Sequence, residues 1–408
     1  MLSRRGALLL AVGGLAQLSG PGPRQTVRTP TGDAPAGPPV RPEIEALLAR
    51  RAGALRSPDQ AALLAGVAPE AMAAQQEALA RCRGIPFAEL SYRLTDFTEP
   101  RGVDRFTVTA DLGYRLHGID NHPALLGRTL EFVRAAGGWL LAGDRPTEAA
   151  ALWDLGAVRV VHGSRSLVLG LAATADLART AEIADHAVPA VEEVWGDGWA
   201  GQLLLEIPQT EDQFARLLGV SAADYQGIAA VTTAAAGAPH GTAADRVLLN
   251  PDAYAGLSDL GRRVVTTHEA THVATRADTR PWTPLWLSEG VADYTGYRGN
   301  GRTARQIAPE LANDVEAGRL PSALPLDADF AAGSAGIAQA YELAWMACDL
   351  IARQWGEQRL VALYRAVGAT ESVRTQGLDG LFRAQLGTGL DEFTRQWISE
   401  IRRLPTHP

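Results

Sequence analysis

The 408-residue chain contains no lysine; all 38 of its basic residues are arginine. That absence excludes any chemistry in which a side-chain primary amine acts as base, nucleophile or Schiff-base former. Cysteine is scarce. Cys82 and Cys348 are too few for a disulfide scaffold or a four-thiolate zinc site, and both fall in helix-like sequence, where free thiols are expected rather than a bridge. Basic blocks are missing as well. With 38 basic against 46 acidic residues the formal charge is −8; binding to phosphate backbones needs clustered cations, so nucleic acid is not expected as a partner. Alanine, glycine, proline and arginine are plentiful, which we read as the coding habit of a GC-rich genome. A 46% hydrophobic content is too high for a disordered chain, and the length predicts two domains plus extras.

The chain opens Met1-Leu2-Ser3-Arg4-Arg5, followed by an apolar stretch from Gly6 to Leu18. As a helix that stretch would measure about 20 Å, short of the roughly 30 Å of a bilayer core, so a stable membrane span is not expected. Charge followed by a short apolar core predicts an export signal over residues 1–20, resembling a twin-arginine or general secretory signal. Between Pro21 and Pro42 stand seven prolines, which predicts an extended tether over 21–42. Together these place the globular part outside the cytoplasm of a bacterium, secreted or in the cell envelope.

Over 43–160 helices come first. Ile44, Leu47, Leu48 and Leu55 share a helical face. Ser57-Pro58-Asp59-Gln60 carries a helix-start signature, and a third helix is expected from Pro69 to Arg83. The pattern then switches to period two. Phe106, Val108, Ala110, Leu112, Tyr114 and Leu116 alternate with more polar neighbours, predicting a long half-buried strand. Further strands are expected at Phe87–Phe97, Arg128–Arg134 and Trp139–Ala142, with Gly137-Gly138 as a hairpin signal. The order, and the ending Gly138-Trp139-Leu140-Leu141, resemble the cone-shaped nuclear-transport-factor-like fold, which implies helices on a curved antiparallel sheet. No ligand spacing links His117, His122 and His162.

The remainder, 161–408, carries the chemistry. Leu260, Val264, His268 and His272 recur every fourth residue in a helix expected from Leu257 to Arg276, so they share a face. Within it stands His268-Glu269-Ala270-Thr271-His272. Two imidazoles one turn apart can hold one metal ion, and Glu269 beside the first can reach a water at that ion. Chance produces such a pattern about once in a hundred chains of this composition, so its surroundings must decide. Pro281 and Pro284 break the helix. Glu289 follows on the next helix, where an antiparallel packing would bring its carboxylate to the same ion, and Asp293 lies one turn further on the same face, placed to orient His268.

His268-Glu269-Ala270-Thr271-His272 and Trp286-Leu287-Ser288-Glu289-Gly290, with Asp293, resemble the gluzincin metallopeptidases, in both their thermolysin-like and aminopeptidase-like branches. The resemblance implies one Zn²⁺ held by His268, His272 and Glu289, with Glu269 as general base and Asp293 behind His268. In the aminopeptidase branch a catalytic tyrosine followed by glutamate opens a downstream helix. Tyr341-Glu342 matches that position and makes Tyr341 the expected oxyanion donor, with Tyr294, Tyr297 and His240 as competitors. The branch's Gly-x-Met-x-Asn segment corresponds to Gly227-Ile228-Ala229-Ala230-Val231-Thr232-Thr233, which lacks the methionine, the asparagine and any acidic residue for a substrate amine. An endopeptidase is therefore at least as well supported as an aminopeptidase.

The expected fold is α+β: helices on a curved antiparallel sheet, then a two-lobed gluzincin domain in which a mixed sheet leads into a helical half. Strands are expected at Ser166–Leu171, Gln202–Ile207, Gly227–Thr233 and Arg246–Leu249, alternating with helices near Ala173–Val194 and Glu211–Leu218. The expected function is a zinc-dependent metallopeptidase that hydrolyses peptide bonds of a peptide or protein with metal-activated water. Two alternatives stand beside it: a non-catalytic zinc-containing envelope binding protein, and a one-substrate protease restricted by its N-terminal domain.

Overall fold

The computed structural model describes residues 39–404, except 57–60, 62, 63, 226, 234–243, 332, 372 and 374–376. The export segment, all but the end of the tether, the helix start at Ser57–Gln60, His240 and His407 lie outside the described residues. Helices of eight or more residues are numbered below in chain order.

The first part is a helix-on-sheet layer. Helix α1 (Val40–Leu55) and helix α2 (Met72–Cys82) precede strands β1 (Phe87–Asp96), β2 (Arg105–Leu116), β3 (Ala124–Ala135) and β4 (Gly138–Pro146). The four strands form an antiparallel meander in sequence order. α1 starts inside the segment read as a tether, with Pro42 in its first turn, where the missing N–H has no intrahelical acceptor to lose. Ile44, Leu47 and Leu48 pack on Val108, Leu130, Phe132 and Leu141 of one sheet face. The hairpin between β3 and β4 turns through Ala136 and Gly137, pairing Ala135 with Gly138. β3 and β4 each extend beyond the expected apolar segments. Their added residues include Gly127, Gly143, Asp144 and Arg145, polar or small positions that ladder hydrogen bonding keeps in the sheet without an apolar signal.

A second sheet follows: β5 (Arg159–His162), β6 (Ser166–Gly170), β7 (Leu203–Ile207), β8 (Ala230–Thr233) and β9 (Arg246–Leu249). Its order is β5-β6-β7-β9-β8. β6, β7 and β9 run parallel, while β5 and β8 are antiparallel edges. The inner strands are continuous apolar runs because both faces are covered. Leu203, Leu205, Val247 and Leu249 face helices α3 (Thr174–Trp195) and α5 (Asp259–Thr275). The alternate residues Leu167, Leu169, Leu204 and Leu248 face Leu112, Tyr114 and Leu116 of the first sheet and Phe214 of α4 (Glu211–Leu218). β5 was not expected; its Arg159 and His162 are exposed and flank two valines, too short an apolar signal to read. It begins beside residue 160, where the sequence was divided.

From α5 onward the chain is helical. α6 (Leu285–Tyr297), α7 (Pro309–Glu316), α8 (Ile337–Trp355), α9 (Glu357–Ala369), α10 (Asp379–Leu386) and α11 (Leu390–Arg403) complete it. α5 is capped by the Ser258 hydroxyl, which accepts from the Gly261 N–H at 3.1 Å, and α6 starts after Pro284. α6 lies against both α5 and α8, and two glycines permit the approach. A Cβ on Gly290 would sit 2.5 Å from the Ala344 carbonyl oxygen of α8, and one on Gly296 would sit 2.9 Å from the Val264 carbonyl oxygen of α5. Among the described residues no helix is long and apolar enough to cross a membrane. Both cysteines are free thiols, Cys348 buried and Cys82 half-buried.

Candidate metal centre

Three helices and one strand converge on a buried cluster. α5 supplies His268, Glu269 and His272, α6 supplies Glu289 and Asp293, α8 supplies Tyr341, and β8 supplies Thr232. All seven are buried, His268 and Glu269 completely. The two imidazole Nε2 atoms stand 3.0 Å apart. Glu289 Oε2 lies 3.3 Å from His268 Nε2 and 3.4 Å from His272 Nε2. Four residues per step on α5 and the glycine-tight contact with α6 produce this triangle.

His268 Nδ1 is 2.7 Å from Asp293 Oδ1. A carboxylate there holds a proton on Nδ1, so Nε2 is the nitrogen that faces His272 and Glu289. The three groups then point their ligand atoms at one another, and among the described residues Glu289 Oε2 has no hydrogen-bond partner. A cation between them removes that conflict. Ligands about 2.0–2.2 Å from a tetrahedral ion stand about 3.3–3.6 Å apart, a range that holds the two distances from Glu289. The three residues could therefore hold a metal ion, and an imidazole–imidazole–carboxylate set suits zinc.

The electrostatics point the same way. Glu269, Glu289 and Asp293 put three carboxyl groups in a volume closed to water. Burial disfavours a charged His268, yet Asp293, Glu289 and Glu269 overcome it and hold the ring's pKa well above its ordinary value. Burial would raise Glu289, but His272 and His268 hold it down to about 2. Asp293 is raised, burial outweighing His268. The cluster attracts positive charge.

Glu269 Oε2 accepts from the Thr232 hydroxyl at 2.5 Å, while Oε1 is buried without a partner among the described residues. Sequence reasoning read Thr232 only as part of a strand; a single threonine in such a run carries no signal for this contact. Tyr341 packs 6.3 Å, ring to ring, from His268. Burial first, then Glu289, Asp293 and Glu269, raise its pKa well above the ordinary phenol value, with a hydrogen bond to Glu289 contributing, so Tyr341 keeps its O–H. Among the competitors, the Tyr294 hydroxyl donates to Glu357 at 2.9 Å, away from the cluster. Tyr297 sits one turn beyond Asp293 with a buried hydroxyl that has no partner among the described residues. His117, His122, His162 and His186 are exposed and take no part.

Beside the cluster lies a cavity of about 480 Å³, bordered by Val264, Tyr297, Ile307, Tyr341 and Glu342. Val264 is one turn of α5 before His268, so the cavity abuts the cluster on the Tyr341 side. Burial pushes the Glu342 carboxyl up to about 8, although it accepts the Glu310 and Leu311 backbone N–H groups.

Asp293→Ala should leave the fold intact and weaken metal affinity about 10–100-fold, read by competition with a chromogenic chelator. An unchanged affinity would remove Asp293 from the metal centre.

No family model matches the chain, and no curated protein matches it. Among solved structures, it is similar to a mutant M1 zinc metallopeptidase from Deinococcus radiodurans bound to a Tyr-Ser-Ala substrate, at 14% identity and a TM-score of 0.35, over 76% of this chain and 61% of that one. A mutant two-domain M1 zinc metallopeptidase bound to L-tryptophan gives 14% identity and a TM-score of 0.34, over 72% and 61%. The chain thus spans about three fifths of those structures' length. A likeness at that TM-score carries no inference, and the case for function rests on the geometry above.

Proposed function

We propose that the chain is a zinc-dependent metallopeptidase acting on peptide or protein substrates, with His268, His272 and Glu289 as zinc ligands. The observation that supports this reading best is Glu269. A purely structural metal site needs no acid between its histidines, yet this one is anchored through one oxygen and has the other unpaired inside the cluster.

Zinc, when bound here, supplies Lewis acidity, activating water at neutral pH and drawing charge from a carbonyl oxygen. The protein supplies the rest. Thr232 fixes Glu269 through Oε2, leaving Oε1 to take a proton from the attacking water and return it to the leaving amine. Asp293 keeps the His268 proton on Nδ1. Tyr341 presents an O–H donor where negative charge develops on the former carbonyl oxygen. Among the described residues β8 is an edge of its sheet, antiparallel to β9 on one side, so an extended substrate can add to its other side, next to Thr232 and Glu269. No acidic side chain on Ala230–Thr233 waits for a substrate amine, which favours cleavage within a chain at least as much as removal of its first residue.

Tyr341→Phe should lower kcat about 10²–10³-fold with little change in KM, by steady-state kinetics on a cleaved peptide; equal kinetics in the two proteins would give the donor role to another group. The proposal as a whole is tested by metal analysis of the folded chain with a peptide-library cleavage assay. Stoichiometric zinc and cleavage are expected, and a folded chain that takes up no zinc overturns it. We further propose that the enzyme works outside the cytoplasm, on the strength of Arg4-Arg5 and the apolar stretch after them; cell fractionation finding it wholly cytoplasmic would refute this.

A further inference from the structure

The cavity of about 480 Å³ continues the metal-facing stripe of α5. Val264 and Leu260 stand one and two turns before His268 on the same helical face, and both border the cavity. From α8, Ile337 and Tyr341, again one turn apart, border it too. The side chain placed to meet the developing oxyanion is therefore also a wall of this space. Its volume falls within the range of about 300–1,000 Å³ found for pockets that enclose small ligands, ample for one large side chain.

The walls are mostly apolar, and part of them is uncovered. Leu260, Ile307 and Ile337 are only half-buried, so each keeps hydrocarbon in contact with water that an occupant would displace. Charge calls for no charged occupant. Three charged side chains border the cavity among the described residues. Arg302 and Glu310 are exposed at its rim and opposite in sign. Glu342 is buried, its two oxygens are committed to the Glu310 and Leu311 N–H groups at the start of α7, and burial pushes it up to about 8.

We propose that this cavity receives a large uncharged side chain, aromatic or branched aliphatic, from a residue flanking the scissile bond, and so sets the sequence preference of cleavage. This rests on the metallopeptidase reading above, which lays the peptide bond between the metal cluster and Tyr341. Neighbouring side chains of an extended peptide point to opposite faces, so only one of the two flanking residues enters. Burial of one leucine or phenylalanine side chain corresponds to roughly 10–150-fold in affinity.

The test is isothermal titration calorimetry of the full-length Glu269→Gln chain with acetyl-Gly-Gly-X-Gly-Gly-amide peptides, which reads binding without turnover. Peptides with phenylalanine or leucine at X should bind roughly 10–150-fold more tightly than the alanine peptide, and lysine or glutamate peptides no more tightly than alanine. Adding Ala338→Trp puts an indole into the cavity and should shrink the phenylalanine advantage at least about tenfold. Should that variant fail to fold, Gly261→Leu fills the α5 wall, where the nearest atoms to a Cβ belong to Leu257 and Ser258 of the same helix, at 3.3 Å or more. Equal affinity for the phenylalanine and alanine peptides, tighter binding of the lysine peptide, or an undiminished phenylalanine advantage in both variants overturns the proposal. Turnover of the same peptides by the unmutated chain, mapped by mass spectrometry, separates it from the reading it rests on. Cleavage beside X with the same order of preference supports both. Preferential binding without cleavage removes the catalytic reading and assigns the pocket to peptide binding, whereas cleavage with equal kcat/KM for phenylalanine and alanine removes the pocket and keeps the catalytic reading.

Discussion

Replacing Glu269 with glutamine should lower kcat/KM by about 10²–10⁴-fold on any peptide the wild type cleaves, with zinc content unchanged. The geometry makes this substitution selective. Glutamine has the same shape, and its amide oxygen can go on accepting the Thr232 hydroxyl as Oε2 does now at 2.5 Å. The amide nitrogen then occupies the place of Oε1, the oxygen without a partner, and it cannot take a proton. Packing and ligands are retained while proton transfer is lost. Parallel measurement of metal content, denaturation midpoint and peptide turnover separates the outcomes. Full activity with full metal would mean that another group moves the proton. Loss of metal along with activity would make Glu269 a ligand rather than a base.

The largest effect on stability is expected at Asp120. Its carboxylate, wholly buried, grips the Arg246 guanidinium with both oxygens at 2.7 and 2.8 Å, and it also accepts the Leu116 and Ala244 backbone N–H groups at 2.9 and 3.0 Å. Asp120→Ala strips Arg246, at 7% exposure, of its bidentate partner and leaves only the buried Glu206 carboxyl acting on it, a loss of about 3–5 kcal/mol in chemical denaturation. Adding Arg246→Met removes the stranded charge and should recover part of that loss, but not the part due to the two backbone N–H groups. A single variant within about 1 kcal/mol of wild type would show that water reaches Arg246 after all. The same pair bears on the idea that the first part of the chain restricts the protease. Truncation before residue 160 would strand Arg246 and uncover Leu167, Leu169, Leu204 and Leu248, so lost activity in that experiment would report unfolding as readily as regulation.

Sequence and structure meet most closely where chemistry follows local spacing. His268 and His272 share a face because four residues make one helical turn, and Glu289 and Asp293 repeat the rule on the next helix, so the metal cluster was legible before any coordinates. Long apolar alternation likewise placed β2 within one residue. Contacts between distant segments were not legible. Thr232 meets Glu269 from a strand 37 residues earlier, and Asp120 finds Arg246 across 126 residues; neither residue type stands out among its neighbours. Asp144 likewise joins Arg51 of α1 and Arg128 of β3 through its two oxygens, the first across 93 residues, a pairing that no pattern of letters encodes. The edge β5 and the ends of β3 and β4 escaped because hydrogen bonding extends a sheet past the residues whose burial makes a strand readable.

The contact at Gly290 gives the metal centre a gauge. Because the backbone of α6 touches the backbone of α8 there, the separation between the Glu289 carboxylate and the Tyr341 phenol is measured in main-chain atoms and not in side chains. Residues around the two helices can drift among similar volumes without resetting that length. A single methyl at position 290 would act as a spacer, prising the Glu289 carboxylate from the Tyr341 phenol while both stayed in the sequence. The tolerance of the whole site is thus held by a position whose contribution is the absence of matter.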